Sequence, residues 1–273
     1  MTSCLLMNIN ALFQGFHELF SASCFPGRQR SPEQRELEKI IDQELITPVF
    51  QPIVSLSDGA VHGHEALTRV SRAGSIATPD LLFAHAREFG LTAPLERLCR
   101  KKSLARAKEL GIPGRIFINV CPTILQAGDH ERGQTTSLLD ELGIQRSRIT
   151  FELTERTLIE DFVLFKRALS HYRQQGYSIA IDDLGTGYSG LKMLAQLEPD
   201  YVKLASFLTA GIDSSATRQA LVESLVSFCG KIGATVIAEG IERDEELAYL
   251  ISAGVNLGQG YLLGKPSATL LPA

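Results

Sequence analysis

Eight short apolar runs punctuate this chain, with longer amphipathic stretches between most of them. The runs are VFQPIVSL (49–56), VHGHEALTRV (61–70), RIFINV (115–120), RITFEL (148–153), YSIAID (177–182), YVKL (201–204), TVIAE (235–239) and GQGYLL (258–263). The stretches LERLCRKKSLARAKEL, FVLFKRALSHYRQQ and TRQALVESLVSFCGKI carry the helical signal. Strand–helix alternation on this scale implies parallel βαβ units. Eight strands in 273 residues predict a closed (β/α)8 barrel of the TIM type, since such barrels run to about 250 residues as one unit. One connection breaks the rule. Only SDGA separates the first two runs, far too short for a parallel crossover, and Asp58-Gly59 is a hairpin signal. The first strand is therefore expected to be antiparallel to the second.

Hydrophobic residues make up 44% of the chain and charged residues 21%, which excludes disorder as the dominant state. Twenty-seven basic residues against 31 acidic give a net charge of −4, so a general DNA or RNA binder is not expected. No run approaches the roughly 20 apolar residues that span a bilayer. The opening MTSCLLMNINALF lacks a basic segment and is interrupted by Asn8 and Asn10, so a secretory signal is not expected. Cys4, Cys24, Cys99, Cys121 and Cys229 are odd in number and scattered. They suggest neither a disulfide framework nor a zinc site, and a reducing cytoplasm is the simplest location. Residues 1–32 read as an N-terminal extension ending in the linker FPGRQRSP. Ser31 then caps a helix with Pro32 at its first position, and residues 33–270 are expected to form the barrel domain.

Barrel chemistry gathers at the C-terminal strand ends, and here those positions are polar. Glu65 lies within the second run, Asn119 in the third and Glu152 in the fourth. Asp182 and Asp183 close the fifth, Lys203 lies in the sixth, Glu239 ends the seventh and Gln259 lies in the last. An isolated acid in such a place is usually a helix N-cap or a solvated loop residue. Several carboxylates at one barrel mouth are harder to explain that way, because they repel each other unless protons or cations compensate them. Oxygen-only donors select hard divalent cations such as Mg2+ or Mn2+ over zinc. The adjacent pair Asp182-Asp183 is suited to bringing two metals together, an arrangement that serves in-line displacement at phosphorus. A lysine among carboxylates can hold or polarise the attacking water. The turn GTGYS at 185–189 is a weak phosphate signal and reads equally well as a flexible connection.

The motifs have a characteristic order: FQPIVSLSDGAVHGHEALTR containing Glu65-Ala66-Leu67, NVCP at 119–122, ELTE at 152–155, DDLGTGYSGL at 182–191, VKLA at 202–205, AEGIE at 238–242 and QGYLLGKP at 259–266. In that order and spacing, the chain resembles the EAL-domain family of cyclic-di-GMP phosphodiesterases over residues 33–266. The resemblance implies a barrel with its first strand reversed. It implies Glu65, Asn119, Glu152 and Asp182 as ligands of one Mg2+ or Mn2+ ion. Asp182, Asp183 and Glu239 are implied as ligands of a second, with Asp182 bridging. Lys203 corresponds to the lysine near the nucleophilic water, and Glu155 to the glutamate that anchors the loop at 184–189. Both count among the implied catalytic residues, as does Glu239. Gln51, Leu67 and Arg69 match dinucleotide-contacting positions, Gln259 lies at the floor of the site, and Glu242 has a supporting role.

The implied reaction is hydrolysis of cyclic-di-GMP to linear 5′-pGpG, which lowers this second messenger. Ca2+ is expected to inhibit by replacing the smaller ions. A homodimer is implied, and a regulatory protein partner stays open. The alternative is a weak or inactive barrel that serves as a cyclic-di-GMP receptor or protein-interaction module. Retention of every implied metal ligand favours the enzyme. The chain departs from the family pattern at Val70 (usually aromatic), Arg87 (usually acidic), Cys121 (usually Ser) and Ala205 (usually Asp). Residues 203 and 205 of one strand share a face, so Ala205 is expected to remove a carboxylate from beside Lys203 and to weaken the support for its charged form.

Overall fold

The computed structural model describes residues 30–71, 74–121, 134–154, 162–186 and 190–269. Eight strands close in sequence order into one barrel. They are β1 (Ile46–Ser55), β2 (Val61–Val70), β3 (Arg115–Asn119), β4 (Ile149–Thr154), β5 (Ser178–Leu184), β6 (Tyr201–Leu204), β7 (Thr235–Ala238) and β8 (Leu257–Gly258). Neighbours from β2 to β8 pair in parallel. β1 is antiparallel to both β2 and β8, as the short SDGA connection requires. In that turn the Ala60 N–H donates to Asp58 Oδ1 at 3.1 Å.

The described helices are α1 (Pro32–Asp42), α2 (Pro79–Glu88), α3 (Thr92–Glu109), α4 (Gln134–Leu142), α5 (Phe162–Gln174), α6 (Gly190–Leu197), α7 (Ser206–Thr209), α8 (Ala216–Ile232) and α9 (Asp244–Ser252). Ser31 caps α1, accepting the Gln34 N–H at 3.1 Å, and Pro32 opens the helix. Among the described residues no helix is long and apolar enough to cross a membrane, and Cys99, Cys121 and Cys229 form no disulfide there.

Side chains alternate between the two faces of each strand, and this sorts the core into shells. Outward residues such as Ile116, Phe151 and Val236 meet helix residues such as Leu104, Phe165 and Met193 in the main apolar cluster. Inside the barrel lies a smaller apolar layer of Ile53, Phe117, Ala180, Tyr201, Ile237 and Leu257. A third cluster joins α1, α2 and α3 through Leu37, Leu82 and Leu95, with Ile46 of β1.

Strand ends differ from the sequence runs at several places, and two of them bear on the site. The last strand is only Leu257–Gly258, so Gln259 follows it instead of lying inside it. A side chain at Gly260 would run into the Ile241 backbone. Ile241 O takes the Leu262 N–H at 3.1 Å, and this contact replaces a ladder bond. The sixth strand stops at Leu204, and Ala205 is the N-cap of α7. Residue 205 is therefore at a helix start, outside the strand shared with Lys203.

Candidate active site

The strand register brings polar side chains together above the apolar layer. Gln51 pairs with Glu65 across β1–β2, Asn119 with Glu152 across β3–β4, and Thr154 with Asp182 across β4–β5. Lys203 stands at the centre with its side chain 1% exposed. Its Nζ lies 2.9 Å from Glu152 Oε1, Asp182 Oδ1 and Glu239 Oε1, and 3.2 Å from Glu65 Oε2. An ammonium carries three protons, too few for four carboxylates. Glu152 is fully buried, and its Oε2 has no hydrogen-bond partner.

Glu65 has the best-satisfied carboxylate. Asn119 Nδ2 donates to its Oε1 at 3.2 Å, and Gln259 Nε2 to its Oε2 at 2.7 Å. Gln259 Nε2 also reaches Gln51 Oε1 at 3.1 Å, and Gln51 Nε2 donates to Gly264 O at 3.1 Å. Burial pushes the Glu65 carboxyl up, but Lys203 and these donors outweigh it and hold it below the usual range. For the other three acids burial wins. Glu152 is raised well above the usual range by burial and by the Glu65 charge, against the pull of Lys203. Asp182 is raised by burial, and Glu239 is pushed up to about 8 by burial, with Lys203 opposing. Burial alone would lower the Lys203 ammonium, yet the surrounding carboxylates hold it well above the ordinary lysine range. Ala205 therefore does not deprive the lysine of support, contrary to the sequence expectation.

Adjacent strand residues normally leave on opposite faces. At Asp182 and Asp183 this alternation is interrupted: the β5–β6 register shifts between Ile181 and Leu184, and Asp183 takes the left-handed φ of 59°, uncommon outside glycine. The Asp183 charge reaches Asp182 and contributes to its raised pKa.

Leu67 and Arg69 lie further along β2, paired with Val49 and Thr47. Arg69 Nη1 donates to Thr68 O at 2.9 Å, so the guanidinium rests on its own strand and away from the acid cluster. The Glu242 N–H donates to Glu246 Oε2 at 3.2 Å. Glu155 and residues 187–189 lie outside the described residues.

One acid beside the site escaped the sequence reading. Glu96 of α3 is buried, and its Oε1 accepts the Cys121 N–H at 2.9 Å, two residues beyond Asn119. Burial pushes its carboxyl up to about 7, against the Cys121 bond and the nearby Arg100 charge. The only sequence signal was its place on the buried stripe of α3 with Arg100, Ser103 and Ala107.

Among the described residues no three ligating side chains form a ready cation cage, because the acids close around Lys203 Nζ. Their chemistry nevertheless fits divalent cations. With all four ionised, one ammonium leaves three negative charges in excess, and the donors are oxygen.

The family model described as EAL domain matches residues 34–266. The chain belongs to the EAL domain family. Cyclic di-GMP phosphodiesterase PdeR of Escherichia coli (strain K12) is 32% identical over 234 residues, covering 84% of this chain and 35% of that protein. The chain thus spans about a third of that relative's length. Among solved structures, a standalone EAL protein from Vibrio cholerae O395 in its c-di-GMP-bound form is 30% identical with a TM-score of 0.75. The match covers 83% of this chain and 94% of that one. The manganese/cy-diGMP complex of Klebsiella pneumoniae BlrP1 is 32% identical with a TM-score of 0.74, covering 82% and 56%.

Proposed function

We propose that this EAL domain is a metal-dependent phosphodiesterase that hydrolyses cyclic-di-GMP to linear 5′-pGpG. The observation that carries the reading is the buried cluster of four carboxylates around a single ammonium at the barrel mouth. Burial favours the protonated form of Glu152, Asp182 and Glu239, and cations entering the cluster would take the place of those protons. Glu65, Asn119, Glu152 and Asp182 would hold one, and Asp182, Asp183 and Glu239 a second. Two Mg2+ or Mn2+ ions, when bound, would supply a lowered pKa for the attacking water and neutralise charge at the phosphate.

The chain's own groups account for the rest. Lys203 is held charged at the centre of the cluster, where its ammonium can orient the attacking water. Gln259 donates to Glu65 and is itself tied to Gln51, so that the Glu65 carboxylate is positioned before ligand arrives. Arg69 would exchange its backbone carbonyl for a phosphate oxygen, a stronger charge-assisted bond, and Leu67 offers an apolar contact to a base. The names of the relatives support the substrate; a homodimer is expected, and sedimentation would test it.

The decisive experiment is incubation of the purified protein with cyclic-di-GMP and Mn2+, with chromatography of the products. Expected is pGpG in the presence of Mn2+ or Mg2+, loss of product on chelation, and suppression when Ca2+ replaces the smaller ions. Tight ligand binding without hydrolysis would favour the receptor reading. Full activity after exhaustive chelation would reject the two-metal site.

A further inference from the structure

Glu239 stands where the chain leaves the barrel after β7, and its two peptide groups are tied differently. Its N–H donates to Leu204 O at 3.1 Å, continuing the β6–β7 ladder. Its carbonyl cannot continue that ladder, because Gly240 follows at φ 67° and turns the chain away. A buried carbonyl without a donor bears the full cost of its lost hydration. The donor here is the hydroxyl of Thr209.

Thr209 is the fully buried last residue of α7. Its Oγ1 also lies 3.0 Å from Ser206 O, so the hydroxyl is held between its own helical turn and the Glu239 carbonyl. The two segments interlock closely, since a side chain at Gly240 would collide with Ser206. The other side of α7 faces the exit of β5. The Phe207 ring comes within 2.9 Å of the place a Gly185 Cβ would take, and the Ala205 N–H donates to Leu184 O at 3.4 Å. The short helix thus touches both the strand end that carries Asp182 and Asp183 and the one that carries Glu239.

We propose that Thr209 is a positioning residue for Glu239: its hydroxyl fixes the Glu239 peptide and so sets where that carboxylate meets a metal ion. The inference rests on the two-metal reading of the site. Thr209 touches neither substrate nor metal and acts through the backbone it holds. Partners of this kind, one step removed from the ligands, commonly change metal affinity by about 10–100-fold when removed.

The test follows the melting temperature as Mn2+ is titrated into wild type, Thr209→Val and Thr209→Ser, without substrate. Valine keeps the shape and loses the hydroxyl, whereas serine keeps the hydroxyl and loses a methyl group. The Mn2+ concentration for half-maximal stabilisation should rise about tenfold or more in Thr209→Val and stay within about threefold of wild type in Thr209→Ser. A merely structural role would lower the metal-free melting temperature of Thr209→Val and leave its Mn2+ midpoint unchanged, which would overturn the proposal. Equal midpoint shifts in the two variants would also overturn it, because the methyl group would then be responsible. Should Thr209→Val fail to fold, Thr209→Cys, with only a weak donor, is read in its place. A wild type that Mn2+ does not stabilise overturns the two-metal reading itself and this inference with it.

Discussion

At the scale of single residues, the side chains that were legible in the sequence are those whose type is anomalous for their place. Glu65, Asp182 and Glu239 stand out because acids are rare on strands that close a barrel. Glu65→Ala and Asp182→Ala are each expected to abolish hydrolysis, while Arg69→Ala should mainly raise KM. Steady-state kinetics on the three variants would check this, and near-normal turnover in Asp182→Ala would exclude it as a bridging ligand. Glu96 was not legible, because an acid on an amphipathic helix looks like a solvated residue until its burial is seen. Its pKa rises from 4.5 to about 7, so across that window the folded protein keeps a proton that the unfolded chain has released. Stability is therefore lost as pH rises from about 5 to 7, by about 3 kcal/mol at most. Glu96→Gln, which keeps an acceptor for the Cys121 N–H, should gain on wild type between pH 5 and pH 8. Denaturant unfolding at the two pH values measures this, and a pH-independent difference would contradict it.

At the scale of elements, the reversed first strand was legible because turn length admits only an antiparallel hairpin. Three strand ends were less so, because tertiary contacts set them. β5 continues to Leu184 through an irregularity at Asp182-Asp183, and neither periodicity nor propensity marks it. β8 is cut short by the Ile241 backbone, and β6 gives way to α7 at Ala205. This last point changes the meaning of the most unusual substitution in the chain. Ala205 is an N-cap without a side-chain bond, a position at which aspartate typically adds roughly 1 kcal/mol over alanine. Ala205→Asp is thus expected to raise the melting temperature by a few degrees and to leave the charge of Lys203 unchanged. Thermal unfolding gives the first answer and the pH–rate profile the second. A lower melting temperature would mean that the buried carboxylate finds no donor at the helix start.

For the whole molecule, metal binding and stability are linked through protons. Burial raises the pKa of Glu152, Asp182 and Glu239, and each must be ionised to bind a cation. The stabilisation given by Mn2+ should therefore grow from pH 6.5 to pH 8.5, with protons released on binding. Melting curves at fixed Mn2+ and calorimetry in buffers of different ionisation enthalpy would show both, and a shift that shrinks with pH would contradict it. The barrel's closure has a further consequence. The first strand meets the last through the short ladder Val54–Gly258 and Ser55–Leu257 and the adjoining Leu56 N–H to Asn256 O bond, whereas β1 pairs with β2 along almost its whole length. This narrow seam joins residues far apart in sequence, whose meeting carries the largest loop-closure entropy in the fold, so its amides should exchange with solvent sooner than those of β4 and β5. The Gln51–Gln259 bond crosses the same seam inside the candidate site. A ligand that grips both glutamines is a staple between the two ends of the barrel, and slower hydrogen exchange at Val54 and Gly258 would report its arrival from the opposite side of the sheet.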